Sequence, residues 1–410
     1  MDEKLPKSPD DWLDVVPSDE DWEYYSEYHG VEFPERTVIE QLYVYLPPLL
    51  LIVGTVGNII TAVILWRFIH KVLSTCLYLF VAQVSDLVVL YFLCGNEWLS
   101  AITYMDVRKI AMLSNNSVCK IIPFVMDLAL HLSIWMIAAM SLETTLVLTR
   151  PQRLMRLCRL ERVRAVILLI LVLLICANAH CFWTYTISNV DKLQNGVRIC
   201  SMLRLGNSQQ NDNFRRIAWP LVNFLIADFF PYFVIFACTV TQITVRVKRK
   251  EHLRQLENTW KAYSVDSSAA RELQISLLAV CLAHLFLLLP KMACDMFNYL
   301  VQTTMLFLVP YTFRLDAKRI LAEGLGNALL YIYLSSKVFI MIGCCQAFRA
   351  QVWAMLSCMT CSGKQRVSNR RRRQPPATQQ PLLYRVNQAT PRDNCLANQS
   401  PRKAFSMTSV

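Results

Sequence analysis

Nine ionisable side chains stand inside stretches of this chain that are otherwise apolar: Asp86, Asp127, His131, Asp228, His284, Lys291, Asp295, Glu323 and Lys337. Acids, imidazoles and amines of this kind can move protons, hold cations or meet a charged ligand. Catalysis needs more than the right types. No HExxH, P-loop or GxSxG pattern occurs, and no Ser/His/Asp set falls on one helical face. No enzyme activity, catalytic residue, metal or cofactor is therefore expected. Charged groups in apolar sequence instead face a bundle interior or cavity, where they pair with one another or touch a ligand. Asp127, Lys291 and Asp295 are the candidates for contact with a charged ligand.

The elements that carry these residues follow from composition. The 410 residues are 54% hydrophobic and 18% charged, against about 45–50% and about 25% in an average soluble chain. Mean hydropathy is +0.33, and the apolar residues gather in long blocks. A helix needs about 20 apolar residues to cross the hydrocarbon core of a bilayer. Seven blocks qualify, at roughly 42–66, 72–96, 119–142, 165–187, 217–245, 273–300 and 320–343. The expected fold is an all-α membrane protein, a seven-transmembrane helix bundle. Its halves share no pattern of span length or broken helices, which argues against an inverted-repeat transporter.

Charge gives the orientation. Net charge is +12, yet residues 1–40 hold 13 acids against Lys4, Lys7 and Arg36. The basic excess lies in the linkers between spans three and four (Arg150 to Arg164), between five and six (Arg246 to Lys261), and in the run Arg370 to Arg373. Such residues mark the cytoplasmic side, so the acidic amino terminus is expected outside and the carboxyl terminus in the cytoplasm. The same placement makes nucleic acid an unsuitable partner. No cleavable signal peptide is expected, because the first forty residues contain no apolar run of the needed length.

Several landmarks fall in order along these spans. Span one contains Gly57-Asn58, span two Asp86 within LFVAQVSDLVVL, and span three begins near Cys119. Cys200 follows span four, Pro231 lies in span five and Pro290 in span six. From Cys119 to Glu143 is 24 residues, about 36 Å of helix at about 1.5 Å per residue, one membrane thickness. Over residues 40–350 this resembles the rhodopsin-like G protein-coupled receptors, in a divergent, peptide-receptor-like form. The resemblance implies a Cys119–Cys200 disulfide and a short membrane-parallel helix after the seventh span, starting near Phe348. It also implies a plasma-membrane receptor for an extracellular ligand, signalling through a heterotrimeric G protein.

The departures bear on function. Where the family places Arg-Tyr after the acid at Glu143, this chain has Thr144 and Thr145. Leu288 takes the place of the family's toggle tryptophan, and His284 that of a phenylalanine. Amine receptors carry an acid seven residues after the cysteine; here that residue is Met126, with Asp127 beside it. A peptide, basic ones included, is the ligand class that remains. In the family an acid at Asp86 holds sodium with a serine at the Ser133 position. The facing residue on span seven is here Lys337, whose ammonium is expected to occupy that site as a tethered cation, Asp86 being its nearest available acid. Thr144 and Lys337 also suit an alternative role: a receptor-fold binding or scaffold protein that captures a ligand without activating a G protein efficiently.

Outside the bundle (42–343), residues 1–41 form an acidic extracellular tail. Tyr24, Tyr25 and Tyr28 stand among acids there, as sulfation sites do, and the tail should steer cationic ligands. Asn115 opens a glycosylation sequon. Residues 344–362 form a juxtamembrane segment in which Cys344 and Cys345 are palmitoylation candidates facing membrane lipids. Residues 363–410 are expected to be disordered and to end in a PDZ-type terminus carried by Thr408 and Val410.

Overall fold

A long apolar run in lipid can satisfy its backbone only as a helix, and each of the seven runs is one. The computed structural model describes residues 34–71, 74–150, 159–190, 197–202, 218–262, 267–300 and 313–357. Seven of its helices are long and apolar enough to cross a membrane. They are Pro34–Lys71, Cys76–Thr103, Asn116–Thr149, Leu160–Asn178 with the added turn Cys181–Thr184, Trp219–Lys248, Ser267–Leu300 and Phe313–Cys344. After a break at Cys345 a further short helix covers 346–357. These helices belong to the unit Met1–Ser357, and the second unit, Cys358–Val410, lies outside the described residues.

The helices overrun the apolar blocks because a helix continues past the hydrocarbon until a cap or a break stops it. Span one begins at Pro34 rather than near 42, the proline suiting a helix start. Span four is the exception in direction. Its expected end at 187 is wrong, since Tyr185–Val190 is strand β1, paired antiparallel with β2, Val197–Met202. Ile187 lies opposite Cys200 in that hairpin.

Two more helices occupy linkers. Val107–Ser114 is capped by Asp106, whose carboxylate accepts the Lys109 N–H. Lys250–Ala262 sits between spans five and six. Its apolar residues Leu253, Leu256 and Trp260 recur at helical spacing, and the last two are buried in the main hydrophobic core.

Two glycines set how closely spans approach. A Cβ at Gly57 would stand 2.7 Å from Val338 Cγ1, and one at Gly54 would stand 2.6 Å from Leu90 Cδ1. Small residues let helix backbones meet where lipid offers no hydrophobic drive between them. Span one thereby lies directly on spans two and seven, which brings Lys337 and Asp86 into one interior.

Spans two and five each contain a π-helical turn, at Leu90–Cys94 and Leu225–Phe229. The second immediately precedes Pro231, whose missing N–H the wider turn accommodates. Trp135 of span three donates its indole N–H to the Ile226 carbonyl inside that turn at 3.0 Å. The turn also carries Asp228.

Candidate functional site

The centre of the bundle holds an ion pair. Lys337 Nζ donates to Asp86 Oδ2 at 2.5 Å, and Ser133 Oγ donates to Asp86 Oδ1 at 2.5 Å. Asp86 and Lys337 are both 0% exposed. Each carboxylate oxygen thus has a donor, and the three side chains come from spans two, three and seven. The Lys337 ammonium also lies 4.6 Å from the Tyr333 ring centroid, a cation–π contact. His284 of span six meets the same ring edge-on, centroids 5.1 Å apart. A continuous file of contacts therefore runs from span six through span seven to span two.

At the Glu143 end, the charges are tied to neighbouring helices. Glu143 Oε1 accepts from Thr75 Oγ1 at 2.8 Å. Thr144 turns its hydroxyl back onto the Met140 carbonyl at 2.8 Å. Thr145 does the same to Ser141, and Gln242 of span five donates to Thr145 Oγ1 at 3.1 Å. Glu272, on the same end of span six, accepts the backbone N–H groups of Gln346 and Ala347 at 2.9 and 3.3 Å. That carboxylate sits at the N-terminus of the 346–357 helix, where free N–H groups and the helix dipole favour an anion. Phe348 is fully buried there. Trp260 and Leu256 of the linker helix complete this end, packed on the hydrophobic core that spans three, five and six share.

The Cys119 end is organised by a disulfide. Cys119 and Cys200 are bonded, joining span three to β2 across 81 residues. Asn116 reinforces the junction by accepting from Thr186 Oγ1 and the Ile187 N–H. Inside this end a narrow cleft opens between spans three, five, six and seven, lined in part by Leu130, Asp228, His284, Leu288 and Lys291. Lys291 and Asp295 pair with each other at 2.9 Å, one helical turn apart. Met126 points toward Arg108, whose Nη1 lies 4.0 Å from its sulfur. Asp127 and Asp228 make no hydrogen bond among the described residues, but the Arg108 charge bears on the first and the Asp295 and Lys291 charges on the second.

Several sequence candidates change standing. Cys345 is buried and its sulfur accepts the Phe348 N–H, while burial raises its thiol pKa above the ordinary value. Only Cys344 of the two is exposed for modification. Asn115 is exposed, and its amide oxygen caps span three by accepting from the Ser117 N–H. His131 is a structural link: Nε2 donates to Asn223 Oδ1 and Nδ1 accepts from Asn178 Nδ2, both at 3.1 Å. Tyr24, Tyr25, Tyr28, Thr408 and Val410 lie outside the described residues.

Sequence reasoning passed over Glu272, Trp260 and Trp135, whose partners lie on other helices and leave no local mark. Leu253, Leu256 and Trp260 do carry one, an apolar stripe at i, i+3 and i+7. Compared with protein-family models and with curated proteins, the chain matches none.

Proposed function

We propose that this multi-pass membrane protein is a receptor of the rhodopsin-like type, not an enzyme, with Cys119 and the acidic amino terminus outside the cell. It takes an extracellular ligand, a peptide, into the cleft at the Cys119 end and signals to a heterotrimeric G protein at the Glu143 end. The observation that carries this reading is the Asp86–Ser133–Lys337 cluster joined through Tyr333 and His284 to the cleft. A ligand that displaces His284 disturbs the ring on which Lys337 rests. Reaching a transducer then requires span six to release Glu272 from the 346–357 helix and to let Trp260 leave the core.

A second reading has its own observation. Thr144 carries no charge and is hydrogen-bonded to its own helix, so it offers a transducer nothing to grip. On this reading the chain captures its ligand without efficient G protein activation. Constitutive and ligand-stimulated G protein activation, measured for wild type beside Thr144→Arg, separates the two. Activity in wild type supports the signalling receptor. Activity in Thr144→Arg alone supports the capturing one, and silence of both with intact ligand binding supports it equally.

A further inference from the structure

A cation drawn out of water needs an anion beside it, and two lysines inside the bundle have one. Lys337 rests on Asp86, and Lys291 pairs with Asp295. Arg246, in the last turn of span five, does not. Its Nε and Nη2 are buried and make no hydrogen bond. Among the described residues it forms no ion pair, and no acid bears on it.

Helical register places this guanidinium. Trp135 of span three meets Ile226, and further on Thr145 meets Gln242, so spans three and five run side by side in the same direction. Arg246 stands one turn beyond Gln242 on the same side of span five, about 6 Å further along at the Glu143 end. Gln242 has an unpartnered amide oxygen. A neutral oxygen takes one N–H and leaves the charge uncompensated. Since no hydrogen bond holds the partly buried Arg246 where it lies, turning it outward breaks none.

Two further features say what kind of anion would meet it. Arg246, Lys248, Arg249 and Lys250 put four cations into five residues. The last three are exposed and form no ion pair among the described residues. Glu251, the next acid along the chain, is taken by Arg254 at 3.8 Å. The preference of basic residues for one side of a membrane accounts for the exposed cations, but not for a guanidinium turned inward without an acid. Along the same span, Phe236, Val240, Ile243 and Val247 are all exposed. Their spacing of i, i+4, i+7 and i+11 makes one stripe that ends next to Arg246. An apolar stripe leading up to a multiply basic end has the two-part chemistry that a phospholipid complements.

We infer that span five binds, at the Glu143 end, a phosphate monoester carried on an anionic phospholipid. Arg246 holds the phosphate, Lys248, Arg249 and Lys250 answer its neighbouring charges, and the acyl chains lie along Phe236 to Val247. A monoester carries a charge of about −1.5 to −2 at pH 7 and three acceptor oxygens. Nε and Nη2 form one edge of the guanidinium, whose parallel N–H groups match two of those oxygens. Basic pockets between spanning helices take headgroups of this class. A soluble sugar phosphate shares the headgroup chemistry but has nothing to lay on the apolar stripe. The site does not depend on the receptor reading; only its assignment to the inner leaflet does, through the orientation given there.

The test uses purified full-length protein in detergent, where both ends are open to solution, and follows thermal unfolding against probe concentration. The probes are dioctanoyl phosphatidylinositol 4,5-bisphosphate, dioctanoyl phosphatidylserine, which has a phosphodiester and no monoester, and inositol 1,4,5-trisphosphate. The expected result is at least tenfold tighter apparent binding of the bisphosphate lipid than of phosphatidylserine. Arg246→Gln should bring that binding down to the phosphatidylserine level, and Arg246→Lys, which keeps the charge without the fork, should recover part of it. Lys248→Gln with Lys250→Gln, at exposed positions, should weaken it severalfold. Arg254→Gln, at a cation already paired with Glu251, should leave it unchanged. Tight binding of the lipid alone supports a membrane lipid, whereas equal binding of the trisphosphate overturns the lipid in favour of a soluble phosphate. Equal binding of the two lipids overturns the site, as does a preference that survives Arg246→Gln. Should Arg246→Gln not fold, a preference untouched by the paired lysine changes overturns it. None of these outcomes bears on the cleft, so the receptor reading stands or fails separately, on ligand binding and G protein activation.

Discussion

At the Glu143 end and through the middle of the bundle, buried acids have protein donors: Lys337 and Ser133 on Asp86, Thr75 on Glu143, two backbone amides on Glu272. At the Cys119 end, Asp127 and Asp228 have none among the described residues, and Glu97 keeps one buried oxygen unpartnered. The scaffold is the same seven helices in both halves, so the contrast lies in the side chains. A charge satisfied within the chain fixes helices to one another. Asp127 and Asp228 feel only the longer-range charges of Arg108 and Lys291, so they fix no helix to another, and the file His284–Tyr333–Lys337 is where the two regions meet.

The most forceful way to break the comparison is to make the middle resemble the Cys119 end. Removing one partner of a buried ion pair costs about 3–5 kcal/mol, because the other charge stays buried alone, whereas removing both costs less. Asp86→Asn and Lys337→Asn should each destabilise by that amount, and the double variant should recover part of the loss. Asp127→Asn is the control from the other half. It removes a charge on which only the more distant Arg108 acts, so it should cost far less than either change at the pair. Thermal unfolding of the four purified proteins measures all of these; harmless, additive changes at Asp86 and Lys337 would erase the distinction between the halves.

Next in size is the disulfide, which ties span three to β2 at the Cys119 end. Cys119→Ser or Cys200→Ser removes a cross-link of 81 residues, worth about 2–4 kcal/mol. Surface delivery should fall sharply in both, and equal delivery to wild type would show that Asn116 and the hairpin suffice.

How much of this is legible in the sequence differs between the halves for a physical reason. Span number follows from a one-dimensional requirement, a minimum apolar length, and all seven spans are where the blocks lie. Lys337 with Asp86 is legible because a lysine deep in a bundle has few acids to choose from. Asp228 is not, since its place on the cleft depends on a π-helical turn that no local pattern announces. The end of span four is hidden too: residues 185–187 are apolar enough to extend a helix, but pairing with β2 through Cys200 makes them a strand.

A weaker perturbation loosens the closed end without touching a charge. Trp260 is 3% and Leu256 1% exposed, while the other face of their helix is polar, with Glu257 and Lys261 paired on it at 3.0 Å. Trp260→Ala should free the Lys250–Ala262 helix more than it unfolds the bundle, since it removes the larger of the two buried anchors, Trp260 and Leu256, of so short an element. Amide hydrogen exchange across that helix should accelerate severalfold while exchange in span three stays as in wild type. If both accelerate together, the helix is part of the global core and not a separable cover.

The smallest effect lies in the linker between spans two and three, and it sharpens the account of the Cys119 end. Asp106 caps the helix Val107–Ser114, accepting the Lys109 N–H at 3.0 Å, and Arg108 Nη2 lies 3.7 Å from its carboxylate. Partial burial alone would raise its pKa. The Lys109 amide, the Arg108 charge, the Asn96 side chain and the Lys109 ammonium outweigh that and hold it below the usual carboxylate range. A depressed pKa means that the unfolded chain takes the proton more readily than the folded one. The stabilisation is therefore complete above the unfolded value of about 3.9 and is lost as pH falls from there through the lower folded value. Exchange at the amides of 108–110, corrected for intrinsic rate, should be flat from pH 7 to about pH 5 and rise only below about pH 4. Asp106→Ala should cost about 1 kcal/mol of local protection at pH 7, and Asp106→Asn, which still caps, only a few tenths. Equal protection at those amides in wild type and Asp106→Ala would show that the cap adds nothing to this helix.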